Sequence, residues 1–271
     1  MDKYLNGGFQ DNHSLLQQVQ HLGWAGIRDG VSLKDPSTQM EMQLAAASVK
    51  AAGMKFLGIV WEPAQITWFG RDVLIEVGNE PNIGTDLKMT PAQYADVAGA
   101  CIEECDRLHV PCYIGSISNL TPDPLDYLAD VIRRLPAQKD WRVSIHVYPQ
   151  GDEPTTRYPE SLAALKTVIG SRKFAVTETG LWTAPRYDVF RLFGWTLFKY
   201  NRRVWTDEQV AQAAQQIFQF WDQAGADFVA WYAINDGPRF ETEKEDSFGI
   251  RRYNLDNPHD WKSVAYQNMG S

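Results

Sequence analysis

The chain has 271 residues, 44% of them hydrophobic and 22% charged, with a formal net charge of −8. Its acidic balance, and basic pairs no longer than Arg133-Arg134, Arg202-Arg203 and Arg251-Arg252, exclude a phosphate-tracking surface and so a nucleic-acid partner. No apolar run approaches the roughly 20 residues of a membrane span, and Met1-Asp2-Lys3 leads straight into strand-like sequence with no secretory apolar region. A soluble protein with no membrane partner is expected, secreted if a signal sequence preceded it and otherwise cytoplasmic.

In chain order, short β-like runs alternate with helical ones. Lys3 to Phe9 reads as a first strand and Asn12 to Leu22 as a short helix. Ala25 to Asp29 is a second strand ending in a charge, and Pro36 to Ala52 an alanine-rich helix closed by Gly53. Lys55 to Val60 is a third strand, followed by Trp61-Glu62-Pro63. Eleven residues, 61–71, then precede the apolar run that begins at Asp72. That is near the minimum for a parallel crossover, so one short turn around Ala64 to Phe69 is the most that fits, and the third helix is expected to be truncated or missing.

The fourth strand is the run Asp72-Val73-Leu74-Ile75-Glu76-Val77-Gly78-Asn79-Glu80-Pro81, apolar enough to be buried on both faces of a parallel sheet. Pro81 lacks an N–H and disfavours the helical region for Glu80, which predicts an extended Glu80 at the C-terminal end of the strand. Thr90-Pro91 opens a helix to about Leu108, Pro111 to Gly115 is a fifth strand, and Pro124 to Arg134 a helix. Cys101, Cys105 and Cys112 read as free core thiols, since the segment offers no further metal ligands. Arg142 to Tyr148 is a sixth strand stopped by a proline, Ser161 to Ile169 a helix, and Lys173 to Glu178 a seventh strand. An aromatic insertion from Leu181 to Trp205 leads to a helix at Thr206, where Gln209 completes a capping box. Asp227 to Ile234 is an eighth strand, and a helix around Lys262 to Met269 closes the chain.

Eight strands with helical connectors predict an α/β fold, a (β/α)8 barrel forming one domain over residues 1–271. In such a barrel the strand ends converge on one mouth, and here they carry Arg28, Asn79 with Glu80, His146 with Tyr148, Glu178 and Trp231. Glu80 and Glu178, on strands four and seven, can then face each other. A facing carboxylate pair is what glycosidic cleavage requires: one group protonates the leaving oxygen and the other stabilises or attacks the anomeric carbon. A lone strand-end Glu would more simply be a structural ion-pair partner, and His146, Tyr148 and Trp231 taken singly would be core residues.

The ordered set Glu76-Val77-Gly78-Asn79-Glu80-Pro81, His146-Val147-Tyr148, Thr177-Glu178-Thr179-Gly180 and Trp231-Tyr232 resembles the retaining glycoside hydrolases of clan A, the 4/7 superfamily of barrels. Ser247-Phe248-Gly249-Ile250 with Lys262 to Tyr266 is similar to the close of families such as 5 and 39. The resemblance implies Glu80 as acid/base, Glu178 as nucleophile and Asn79 as the ligand of a sugar 2-hydroxyl. It also implies that Tyr148 orients Glu178, His146 lies near the acid/base, Arg28 keeps Glu178 ionised, and Trp231 floors the adjoining sugar subsite. On this reading Glu80 needs a raised pKa and Glu178 must stay charged.

Trp61 and Trp68 after strand three, Trp182, Trp195 and Trp205 after strand seven and Tyr232 at strand eight are candidates for stacking on sugar faces, with Trp61 and Trp182 the preferred pair. Phe190, Phe193, Trp195 and Phe198 fit equally an amphipathic helix that anchors the insertion. The shortened connection after strand three either opens the cleft for internal cleavage or leaves a flank for a partner subunit. The expected activity is retaining, endo-acting hydrolysis of a β-linked oligo- or polysaccharide. Rival readings are a barrel that binds carbohydrate without cleaving it and a metal-dependent hydrolase. No cofactor or metal is expected, because no Gly-rich phosphate loop follows the first strand and, of five histidines, only His146 stands at a strand end. Oligomeric state is left open.

Overall fold

The computed structural model describes residues 1–6, 13–31, 39–149, 155–181, 185–192, 195–203 and 206–232. The expected C-terminal helix, Trp182 and Trp205 lie outside these residues. Eight parallel strands close into a barrel: β1 (Asp2–Asn6), β2 (Gly26–Gly30), β3 (Lys55–Val60), β4 (Leu74–Val77), β5 (Cys112–Ile117), β6 (Trp141–His146), β7 (Phe174–Thr179) and β10 (Phe228–Tyr232). Around the ring β4 and β7 are separated by β5 and β6, and β10 joins β7 to β1. The connecting helices are α1 (His13–His21), α2 (Gln39–Ala51), α4 (Pro91–Leu108), α5 (Pro122–Arg134), α6 (Tyr158–Ile169) and α7 (Asp207–Gln223). Among the described residues no helix is long and apolar enough to cross a membrane.

The third connection is truncated as its length predicts. It holds only α3 (Pro63–Ile66) and a 3-10 turn (Thr67–Phe69). This suffices because Gly58 leaves a gap on β3 that the Phe69 ring fills, with Phe56 5.3 Å away in the same stack. Thr90 and Thr206 each cap a helix through a reciprocal box with Gln93 and Gln209, satisfying N–H groups that the first turn leaves unpaired.

Side chains alternate between two cores. Ile75, Val77, Val143, Ile145, Val229 and Trp231 point out to the helices, whereas Tyr4, Leu57, Tyr113, Ala175, Phe228 and Ala230 fill the floor of the barrel. Below them Arg142 and the Tyr113 hydroxyl both donate to Asp227. Above the floor the interior turns polar.

Two expectations are corrected. The insertion is an antiparallel hairpin, β8 (Pro185–Leu192) with β9 (Trp195–Arg203), in place of an amphipathic helix. Aromatic and β-branched residues, Tyr187, Val189 and Phe190 in the first run and Trp195, Thr196, Phe198 and Tyr200 in the second, suit strands, and Phe193-Gly194 stands between the two runs, which favours pairing over helical burial. The backbone of Glu80 is not extended: β4 ends at Val77, Gly78 turns the chain at φ 77, and Glu80 has φ 48. Hydrogen bonds outweigh the preference imposed by Pro81. The Glu80 N–H donates to the Ser116 carbonyl (3.0 Å), and its own carbonyl accepts from Gly84 N–H (2.9 Å) and Ile83 N–H (3.2 Å). A non-glycine residue so held stores about 1–3 kcal/mol of strain, which concentrates at functional positions.

Candidate active site

The polar layer is built around Arg28 on β2. Its Nε donates to Glu76 Oε2 (2.5 Å), Nη1 to Glu178 Oε2 (3.1 Å) and Nη2 to Asn79 Oδ1 (3.1 Å), with His146 Nε2 3.2 Å from the same Nη2. One guanidinium fork thus ties together side chains from β2, β4, β6 and β7. A guanidinium has no acceptor, so in the neutral ring His146 Nε2 accepts and the proton sits on Nδ1. That Nδ1–H faces Glu80 Oε1 at 3.1 Å and Glu178 Oε2 at 3.7 Å. The Thr85 hydroxyl donates to Glu80 Oε2, and the Tyr148 hydroxyl to Glu178 Oε1. One oxygen of Glu80, one of Glu178 and a ring nitrogen of His146 all lie within 4.8 Å of one another.

Irregular strands make this convergence possible. Between β6 and β7 the pairing steps from Ile145↔Val176 to His146↔Glu178, and between β10 and β7 from Val229↔Val176 to Trp231↔Thr179, so β7 carries an extra residue at its end. Strict alternation from the inward Ala175 would send Glu178 out to the helices. The bulge instead lets Thr177 reach Glu76 while Glu178 reaches Arg28. A second irregularity at Gly115–Ile117 places Ser116 at φ 43, from which its hydroxyl donates to Glu76 Oε1 (2.9 Å). Tyr94 of α4 braces the same corner, donating to the Val77 carbonyl (2.6 Å) and accepting from Gly115 N–H (2.9 Å).

Charge states follow from these contacts. Burial alone would raise the Glu76 pKa, but Arg28 and His146 outweigh it and hold the group below the usual carboxylate value. Burial likewise opposes the charge on Glu80, yet hydrogen bonds from His146 and Thr85 leave its pKa lowered, the reverse of the expected direction. His146 is disfavoured as a cation by burial, and Glu178 and Glu80 more than compensate, raising its pKa. Burial and the Glu178 charge keep Tyr148 a phenol and hence a donor.

Arg28, Asn79, Glu80, His146, Tyr148 and Glu178, expected at the mouth, are therefore brought together. Trp231 is not with them. It is 0% exposed on the outer face of β10, with its ring 5.9 Å from Phe218 of α7. The next residue, Tyr232, takes the inner face and lies close enough to Tyr148 to perturb it. The strand period of two explains the correction: one residue separates core from site. Trp61 is 5% exposed, its Nε1 donating to the Val31 carbonyl (3.2 Å) and its indole edge packed against Gly78. It props the turn that carries Asn79 and presents little face to a ligand.

Sequence reasoning missed Glu76 and Thr85. Glu76 is 0% exposed, and its signal was present as a lone carboxylate inside Leu74-Ile75-Glu76-Val77. Buried charge in an apolar strand demands a partner. Thr85 had no such signal, because its role depends on how the loop after Pro81 folds back.

No protein-family model matches the sequence, and no curated protein does. Solved structures do match in fold. A β-1,3-glucanosyltransferase of Rhizomucor miehei, an active-site mutant in complex with laminaritriose, aligns over 93% of each chain at TM-score 0.66 and 14% identity. A GH128 endo-β-1,3-glucanase of Sorangium cellulosum aligns over 100% of this chain and 98% of its own, at TM-score 0.64 and 12% identity. A family 39 glycoside hydrolase of Bacteroides cellulosilyticus WH2 aligns over 93% of this chain and 60% of its own, at TM-score 0.65 and 14% identity. The chain has the fold of these glycoside hydrolases. At such identities the likeness concerns the barrel, and the chemistry must be argued from the side chains above.

Proposed function

We propose that this chain is a retaining glycoside hydrolase acting on β-1,3-linked glucan, with Glu80 as acid/base and Glu178 as nucleophile. The observation that carries the reading is the approach of the two carboxylates, oxygen to oxygen within 4.8 Å, across the C-terminal mouth of the barrel. A double displacement needs carboxyl groups about 5–5.5 Å apart, whereas an inverting enzyme leaves about 6.5–9.5 Å for a water. Arg28 and the Tyr148 hydroxyl both donate to Glu178, which leaves its carboxylate few orientations. Asn79, held by Arg28, is the natural ligand for a hydroxyl beside the anomeric carbon. The linkage rests on the fold neighbours, several of which act on β-1,3-glucans. The short β3–β4 connection, which holds only α3 and a 3-10 turn, supports an endo mode.

The test is hydrolysis of laminarin and laminarioligosaccharides beside cellulosic and mannan substrates, for wild type, Glu80→Gln and Glu178→Gln. Activity on the β-1,3 substrates that both substitutions abolish, with the product anomer retained by NMR, is the expected result. An inverted anomer rejects the nucleophile assignment. Binding of laminarioligosaccharide without turnover by wild type returns the carbohydrate-binding reading.

A further inference from the structure

The carboxylate of Glu80 is gripped from two sides by unlike partners. On the buried side His146 Nδ1–H faces Oε1 at 3.1 Å, and on the solvent side the Thr85 hydroxyl donates to Oε2. Among the described residues, the other groups that face Glu80 are Arg28 from β2, Glu178 from β7 and Tyr148 from beyond β6. Arg28, His146 and Tyr148 keep one hydrogen-bonding sense toward Glu80. Arg28 only donates, His146 Nε2 is committed to Arg28, and the Tyr148 hydroxyl is committed to Glu178. The Thr85 hydroxyl can reverse by turning about one bond. Its place is fixed by the loop: Asn82 Nδ2 donates to Ser118 Oγ (3.0 Å), Asn82 Oδ1 accepts from Ser118 N–H (3.2 Å), and Met89 N–H donates to the Pro81 carbonyl (3.0 Å).

We propose that Thr85 is a positioning residue for Glu80: its hydroxyl donates to Oε2 of the carboxylate, accepts from Oε2–H of the acid, and so selects Oε2 as the oxygen that exchanges the catalytic proton. The inference deepens, and rests on, the reading of Glu80 as acid/base. In the first step the Oε2–H hydrogen turns from Thr85 Oγ to the leaving glycosidic oxygen, the Oε2–H bond breaks and an O–H bond forms on that oxygen. The bond from that oxygen to the anomeric carbon breaks as Glu178 forms the new one, and Thr85 turns its hydrogen to the vacated Oε2. In the second step water attacks the anomeric carbon and gives its proton to Oε2, Glu178 is released, and Thr85 turns back. The hydroxyl therefore favours the product of proton donation, which makes Glu80 a stronger acid toward a poor leaving group.

Thr85→Val keeps the shape and removes the hydroxyl, and Thr85→Ser restores it. For Thr85→Val the alkaline limb of kcat/KM should move up by about one pH unit, the size of one lost hydrogen bond to a carboxylate. Turnover of a laminarioligosaccharide should fall about tenfold, while an aryl β-glycoside whose leaving group needs no proton should change by about twofold or less. Thr85→Ser should return both to wild type. Glu80→Ala, run in parallel, must abolish oligosaccharide turnover and yield glycosyl azide from the aryl glycoside when azide is added. If Glu80→Ala fails these criteria, the acid/base reading falls. If it meets them and folded Thr85→Val matches wild type in pH limb and leaving-group dependence, the Thr85 proposal alone is overturned.

Discussion

Arg28 Nε donates to Glu76 Oε2 across 2.5 Å inside the barrel, and the two residues are 4% and 0% exposed. The pair is a foundation for the site, since the remaining nitrogens of Arg28 hold Glu178, Asn79 and His146. Breaking a buried pair by removing one partner costs about 3–5 kcal/mol, because the other charge is left without compensation. Glu76→Gln should therefore lower unfolding free energy by about that amount in denaturant titration. It should also reduce turnover, because Arg28 is freed to shift toward Glu178. Combining Glu76→Gln with Arg28→Met should recover part of the stability and none of the activity. Additive losses in that double-mutant cycle would show that the pair is not coupled.

Tyr148→Phe deletes a donor to Glu178. A hydrogen bond to a charged group is worth about 1.5–3 kcal/mol, so kcat/KM on the preferred glucan should drop about 10- to 100-fold with little change in melting temperature. An unchanged rate would mean that Tyr148 contributes packing alone.

Trp231 and the mouth are separated by one step of the strand period. Trp231→Ala should cost about 3–5 kcal/mol of stability by opening a cavity against Phe218 and leave KM of the folded protein unchanged. Trp231→Phe should cost less than about 1.5 kcal/mol, since among the described residues the indole N–H has no hydrogen-bond partner to lose. A raised KM at intact stability would instead return Trp231 to a sugar subsite.

Glu80 must carry a proton to act as an acid, and its pKa in the free protein lies below the ordinary 4.5. The kcat/KM of the free enzyme should then decline as pH rises through the acidic range, with the optimum well below neutrality. A plateau that persists through pH 7 would contradict the donor roles of His146 and Thr85 at Glu80.

The depressed carboxylates also set acid stability. Glu76 has a lower pKa folded than its ordinary 4.5, so its contribution is complete above that value and is lost as pH falls through the folded pKa. Melting temperature should decrease on acidification below about pH 4.5. Glu76→Gln, which does not titrate, should flatten that part of the profile while starting from a lower value at neutral pH.

Local chemistry made much of the fold legible. β3 runs from Lys55 to Val60 as its apolar pattern predicts, and Thr90-Pro91 starts α4 because threonine caps and proline tolerates the first helical position. Eleven intervening residues allowed only a vestigial third helix. The convergence of Arg28, Asn79, Glu80, His146, Tyr148 and Glu178 was readable because barrel strands share one C-terminal face, so residues at successive strand ends must meet.

What the tertiary structure alone decided is finer than one residue or depends on distant partners. Glu178 faces inward because of a bulge in β7 that exists only as a mismatch against β6 and β10. Trp231 and Tyr232 divide between core and mouth by a register that no strand sets for itself. Glu80 takes φ 48 because Ser116, on the neighbouring strand, offers a carbonyl that outweighs the effect of Pro81. Its pKa is lowered because donors come from His146 and Thr85 on separate elements, and Glu76 matters because Arg28 lies 48 residues away in sequence but 2.5 Å away in space. Alternation, capping and chain length act through neighbours in sequence and are legible there; charge state and the facing of single side chains are set by groups that only the closed barrel brings together.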